Sequence, residues 1–380
     1  MLQESMEQEN LCRNGRLPNF EVLRTIAMLM VVIWHFYAHG LGYVTRSVID
    51  TSGIGLFNYL VSDYVVVVCS VCVNVYVLIS SYFLIDKPFN CTRFIRLWMQ
   101  VVFYSVLFAV IAHFMLPEGN SWPEVINNFT PIRSNVYWFV TLYMGLLLLA
   151  PFLSKTVSSL TKSQYKKFIC VLVLLGCTTD LSFPWGNAMR VEGGYSLIWF
   201  IVLFFVGSYL RRFDINIRPS KIIFCFFILS FATWGYDAIG VLMSHFIRHQ
   251  EIQSHPIYYN GMSFFLSVLF FTWFKSLKIK KSILTKLLIW LAPYTFGVYL
   301  IHDNLYVRSF LWDRMLDMKS YMGSPSLLFI MVLLAISIFL FCVVIDYIRK
   351  QLFIMLSIDS VAHRFSLYLQ KLFNSLLGYL

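Results

Sequence analysis

The sequence predicts an all-α polytopic integral membrane protein, and three observations carry that prediction. First, 59% of the 380 residues are hydrophobic and only 13% are charged, where soluble globular proteins have about 25% charged residues; the mean hydropathy is +0.70. Second, apolar runs long enough to cross a bilayer recur ten times, at 20–41, 59–84, 94–116, 136–153, 166–183, 195–210, 221–243, 260–274, 286–305 and 324–346. Third, the basic residues sort by side. With the N-terminus in the cytoplasm, twenty-two Lys and Arg fall in cytoplasmic segments, seven lie on the opposite side, and Arg24 alone sits within a span. That asymmetry places both termini inside. The net charge of +11 is therefore an orientation signal, and a nucleic-acid surface is not expected.

The runs divide the chain into a cytoplasmic N-terminal segment, 1–19, a ten-helix transmembrane domain, 20–346, and a cytoplasmic tail, 347–380. The first 18 residues have no apolar core, so the first span is expected to be a mature helix rather than a secretory signal. The tail sets Leu and Phe among Arg349, Lys350, Arg364 and Lys371, the pattern of an interfacial amphipathic helix. Most cysteines fall inside apolar segments. Cys69 and Cys72 form a C-x-x-C within a span, with no second pair near it, and are read as packing residues.

The first span, NFEVLRTIAMLMVVIWHFYAHGL, carries Arg24 and His35 among Leu, Met, Val and Ile. An Arg in the apolar part of a helix costs about 2.5 to 3.5 kcal/mol on insertion scales, so it either snorkels to the interface or serves a function. Eleven residues at about 100° each make three turns plus roughly 20°, so Arg24 and His35 project from nearly one face, about 16 Å apart along the axis. His35 is too deep to snorkel; it serves chemistry or bonds to a neighbouring helix. His39, one turn on, is read as structural.

In the second span Asp63, Asn74, Ser80 and Ser81 either line a cavity or bond to a neighbouring helix. Arg93 and Arg96 stand three residues apart at the mouth of the third span. Two guanidinium groups so placed can grip phosphate oxygens bidentately, or they merely flank a membrane helix. The segment LPEGNSWPEVINNFTPIRSN reads as an outer loop, and Tyr137 and Trp138 after it fit an interfacial aromatic belt. His245, His249 and His255 cluster in another loop without a third ligand at metal spacing, and no metal site is expected. His302 and Asp303 end the ninth span, where they can position a hydroxyl-bearing ligand, cap the helix or bond between helices.

Taken together, LRTIAMLMVVIWHF, RFIR, YWFVTLYMGLLLLAPFL and YTFGVYLIH, in this order and at these topological positions, resemble the bacterial acyltransferase family 3. These are polytopic proteins that acylate cell-envelope and extracellular glycans. The resemblance extends over nearly the whole chain. It implies a catalytic role for His35 with Arg24, and an acyl-coenzyme A role for Arg93 and Arg96. Trp138, Tyr143, Tyr299 and His302, within the two later motifs, are the corresponding candidates for substrate contact. Many members that modify lipopolysaccharide or peptidoglycan have an acidic pair where this chain has Tyr143 and Met144. The chain looks more like the stand-alone branch that includes enterobacterial common antigen and intercellular adhesin acyltransferases.

The expectation is thus an O-acyltransferase of the bacterial inner membrane. It takes acetyl-coenzyme A or another acyl-coenzyme A as donor substrate, holds no tightly bound cofactor, and acylates a polysaccharide or its lipid-linked precursor. His35 would be the general base, since an imidazole with a pKa near about 6.5 suits that work when neutral. A sugar transporter is the alternative, because ten helices with a polar stripe can also line a permeation path.

Overall fold

The computed structural model describes residues 17–41, 53–85, 87–115, 121–133, 136–177, 194–214, 216–246, 261–280, 282–316 and 318–377. The described residues contain helices and no strand. In chain order the α-helices are α1 (Pro18–His35), α2 (Gly53–Cys69), α3 (Cys72–Leu84), α4 (Cys91–Met115), α5 (Trp122–Asn127), α6 (Trp138–Ser159), α7 (Lys162–Cys177) and α8 (Leu197–Arg212). They continue with α9 (Pro219–Phe246), α10 (Gly261–Ser276), α11 (Ile283–Leu291), α12 (Thr295–His302), α13 (Leu305–Ser309), α14 (Leu327–Met355) and α15 (Ile358–Leu377).

In their described residues all ten apolar runs fall on helices. Among the described residues seven helical stretches are long and apolar enough to cross a membrane, counting α2 with α3 and α11 with α12 as continuous spans. The described parts of the runs at 166–183, 195–210 and 260–274 fall on α7, α8 and α10, each described over 16 residues. The protein is a multi-pass membrane protein.

Local chemistry explains several boundaries. Pro18 opens α1, where its missing N–H costs no hydrogen bond, and Glu21 sits in the first turn, where the helix dipole favours an anion. The Ser196 hydroxyl caps α8 by accepting from the Trp199 N–H at 3.2 Å. Part of the expected loop between the third and fourth runs is the short helix α5, started by a capping box: Glu124 reaches back to the Ser121 N–H at 2.7 Å. The last span runs on to Met355 and turns at Ser357, whose φ is 52°, into α15. The tail is therefore helical, as its amphipathic pattern predicts, but its first nine residues prolong α14.

Helix α1 lies at the centre of the bundle. Its apolar window is 72% buried against 28% for α14, and it packs on α3, α10, α11, α12 and α14. The apolar side chains left exposed on α14, Phe329, Leu333, Ile336 and Phe341 among them, are the lipid-facing surface that such a span requires. With little hydrophobic drive between helices in lipid, polar bonds and close backbone approach hold the bundle. Asn74 on α3 donates to Ser267 of α10 at 3.1 Å and accepts from Trp199 of α8 at 3.0 Å. Of the two readings open for Asn74, the helix-to-helix bond is the one found. Gly207 lets α8 close on α3, since a Cβ there would stand 2.7 Å from Ser81 Cβ and 2.9 Å from the Leu78 carbonyl oxygen. Cys69 and Cys72 are buried free thiols.

Candidate active site

The site is built where α1 stops being an ordinary helix. From Phe36 to Leu41 the chain winds as a π-helix, an irregularity frequent at functional sites. A second π-helical turn, Phe310–Met315, packs against it; Trp312 meets Phe36 edge-on, and a Cβ on Gly40 would come within 2.9 Å of the Trp312 ring. The sequence pattern predicted one uniform helix through this region.

His35 is the last residue before the change of winding. Its Nδ1 lies 2.9 Å from Nε2 of His302 at the end of α12, and 3.7 Å from an Asp303 carboxylate oxygen. The other nitrogen of His302, Nδ1, is 2.6 Å from the Val298 carbonyl oxygen. A carbonyl only accepts, so His302 Nδ1 carries the proton and its Nε2, in the neutral ring, accepts. His35 Nδ1 must then be the donor, and His35 Nε2 is left with a free lone pair. Asp303 is held in turn by Arg308 at 3.5 Å. The turn after α12 is pinned by Tyr137, which donates to the Leu300 carbonyl at 2.8 Å and accepts from Asn304 at 2.7 Å.

His35 borders a cavity of about 60 Å³, shared with Met28, Tyr76, Trp138, Phe139, Tyr195 and Tyr299 among others. Met28 and Val31, which lie on the Arg24–His35 face, line it too, so the stripe inferred from spacing is the wall of a chamber. Arg24 stands beyond its lower end. Its side chain pairs with Glu21 at 2.9 Å, and its carbonyl accepts from Tyr76 at 2.7 Å. The buried Glu21 is the compensation that lets an Arg sit here.

Of the four substrate-contact candidates, Trp138 and Tyr299 line the cavity, and His302 touches His35. Tyr143 lies one turn below, stacked on Phe139 with ring centroids 5.7 Å apart. Sequence reasoning missed Glu21 and Tyr76. The first had a signal, an acid three residues before Arg24 on one helical face; the second had none.

Arg93 and Arg96 face different surroundings. Arg93 lines a groove of about 500 Å³ at the start of α4, together with Lys87, Asn90, Leu84 and Leu147. Arg96 is paired at 2.6 Å with Asp359 of α15, which packs along α4 and also joins it through Thr92 and Ser366 at 2.8 Å. No metal was expected from the sequence, and the structure adds one grouping to consider: His35, His39 and Asp303 bring ligand-type atoms within 4.8 Å of one another. Within this group His35 Nδ1 is engaged by His302 and stands 3.7 Å from Asp303. His249 and His255 and the side chain of His245 lie outside the described residues.

The described residues thus form a helical bundle in which two hydrogen-bonded histidines stand beside a cavity. Residues 17–347 match the family model of the acyltransferase domain of acyltransferase family 3, and the chain belongs to that family of membrane O-acyltransferases. No curated protein and no solved structure matches it. Membership makes the protein a multi-pass enzyme that moves an acyl group from a donor to a sugar acceptor.

Proposed function

We propose that the protein transfers an acetyl group from acetyl-coenzyme A to a hydroxyl of a cell-envelope or extracellular polysaccharide, or of its lipid-linked precursor, with His35 as general base. The observation that supports this best is the chain from the Val298 carbonyl through His302 to His35, which leaves the base nitrogen of a cavity-lining histidine unprotonated. His35 Nε2 takes the hydroxyl proton as the sugar oxygen attacks the acyl carbon; the C–S bond breaks, and the same nitrogen returns the proton to the departing thiolate. Asp303, 3.7 Å away, stabilises the imidazolium formed in between. Trp138 and Tyr299 offer aromatic surface for a sugar ring and a hydroxyl for its polar edge.

In this reading the groove end of the bundle faces the cytoplasm of a bacterial inner membrane, as the distribution of basic residues predicts. Arg93 and Lys87 then meet the donor's phosphates in the groove. Arg24, held by Glu21, supplies positive charge on the way to the chamber. The test is thiol release from acetyl-coenzyme A by the purified protein with a glycan acceptor. His35→Ala is expected to abolish acceptor-dependent release, and wild-type transfer by that variant would sink the assignment.

A further inference from the structure

The groove at Arg93 and the chamber at His35 have no lining residue in common, yet both lie on the same seam. Tyr76 and Cys72 of α3 line the chamber opposite Phe139 of α6, while Leu84, at the end of α3, lines the groove opposite Leu147 of α6. The two helices run in the same direction here with a constant register: Tyr76 goes with Phe139 and Leu84 with Leu147. Midway, the same 63-residue offset pairs Ser80 with Tyr143, and there the seam is bridged by one hydrogen bond, Ser80 Oγ donating to the Tyr143 hydroxyl at 3.3 Å. Both helices are packed on α8. Side chains rather than backbone contact therefore close the seam at this level. Two turns of helix, about 12 Å, separate the groove level from the chamber level along either helix.

We propose that this seam is the binding site for the extended amide-and-thiol arm of the donor, with Ser80 and Tyr143 as the partition that the arm displaces to carry its thioester from the groove to His35. The proposal rests on the acyl-coenzyme A reading. Three features of the partition fit it. Its bond is long and joins two half-buried hydroxyls, so opening it costs about 1 kcal/mol or less. The hydroxyls released are a donor and an acceptor at the depth where amides of the arm would pass. Tyr143 is stacked on Phe139, a chamber wall, so its ring can swing while keeping an aromatic partner. With the partition closed, the chamber is screened from water in the groove, which would otherwise compete with the sugar hydroxyl for the acyl carbon.

The experiment has a binding arm and a kinetic arm. In the full-length Ser80→Cys protein, maleimide labelling of residue 80 is followed by peptide mass spectrometry. Coenzyme A is expected to protect it, while adenosine 3′,5′-bisphosphate, which has phosphates but no arm, is not. Equal protection by both, or by neither, would overturn the proposal. In the kinetic arm Ser80→Trp, which fills the seam, is expected to lower kcat/KM by about a hundredfold, and adding Tyr143→Ala to reopen it should restore at least part of the loss. A Ser80→Trp protein that is folded and transfers at the wild-type rate would refute the path. Protection at residue 80 by coenzyme A without any transfer to glycan would instead leave the path standing and remove the acetyl-transfer reading.

Discussion

Replacing His302 with alanine removes the acceptor that holds His35 Nδ1 at 2.9 Å and leaves the ring free to adopt the other tautomer or turn toward Asp303. The bond lost is one whose partner becomes charged in the transition state, and such bonds contribute about 1.5 to 3 kcal/mol. At about 1.4 kcal/mol per factor of ten, kcat should fall about 10- to 150-fold. The donor KM should change little, because His302 lies away from the groove at Arg93. His302→Gln is the informative companion, since its side-chain carbonyl can accept from His35 near the place of the lost nitrogen; it should recover part of kcat. The assay is acceptor-dependent thiol release under donor saturation, paired with melting of the detergent-solubilised protein to establish that the variants are folded. A folded His302→Ala enzyme with wild-type kcat would refute the tautomer argument.

Three further outcomes are expected. Gly297→Ala should lower stability by about 1 to 3 kcal/mol in a thermal melt, because its Cβ would overlap the Asp346 carboxyl, which is itself held by Arg349, Tyr104 and Gln100; an unchanged melt would show that this contact can relax. Asp359→Ala should leave stability nearly unchanged, since its pair with Arg96 is solvent-exposed, but should lower the donor KM by freeing a guanidinium one helical turn along α4 from Arg93; a KM equal to wild type would detach Arg96 from donor binding. Exhaustive dialysis against a chelator should leave transfer intact, because His35 Nδ1 is engaged by His302 and its Nε2 is assigned to the base role; loss of activity that returns on adding zinc would instead put a metal at the His35, His39 and Asp303 group.

Much of the architecture was legible because a bilayer imposes it. Length and apolarity located the helical runs, and the spacing of Arg24 and His35 put them on one face, a face on which Met28 and Val31 line the cavity. The amphipathic tail was legible for the same reason. Less legible were the breaks in that regularity. Nothing in the apolar pattern of α1 marks the change to π winding after His35, where the chain packs against a second π turn at Phe310–Met315. Glu21 hid in plain sight as an ordinary first-turn acid until its burial beside Arg24 became visible.

By itself the sequence determined which segments are helical and apolar and which faces carry polar groups, since these follow from local periodicity and from transfer energies that each segment carries alone. Which groups meet was decided only by the tertiary structure. His35 has a partner in His302, Arg96 has one in Asp359, and Arg93 and Arg96 part company, all because helices distant in the chain pack side by side. A hydrogen bond between residues 267 positions apart depends on where two helices come to rest, and that position is a property of the whole bundle rather than of any one stretch.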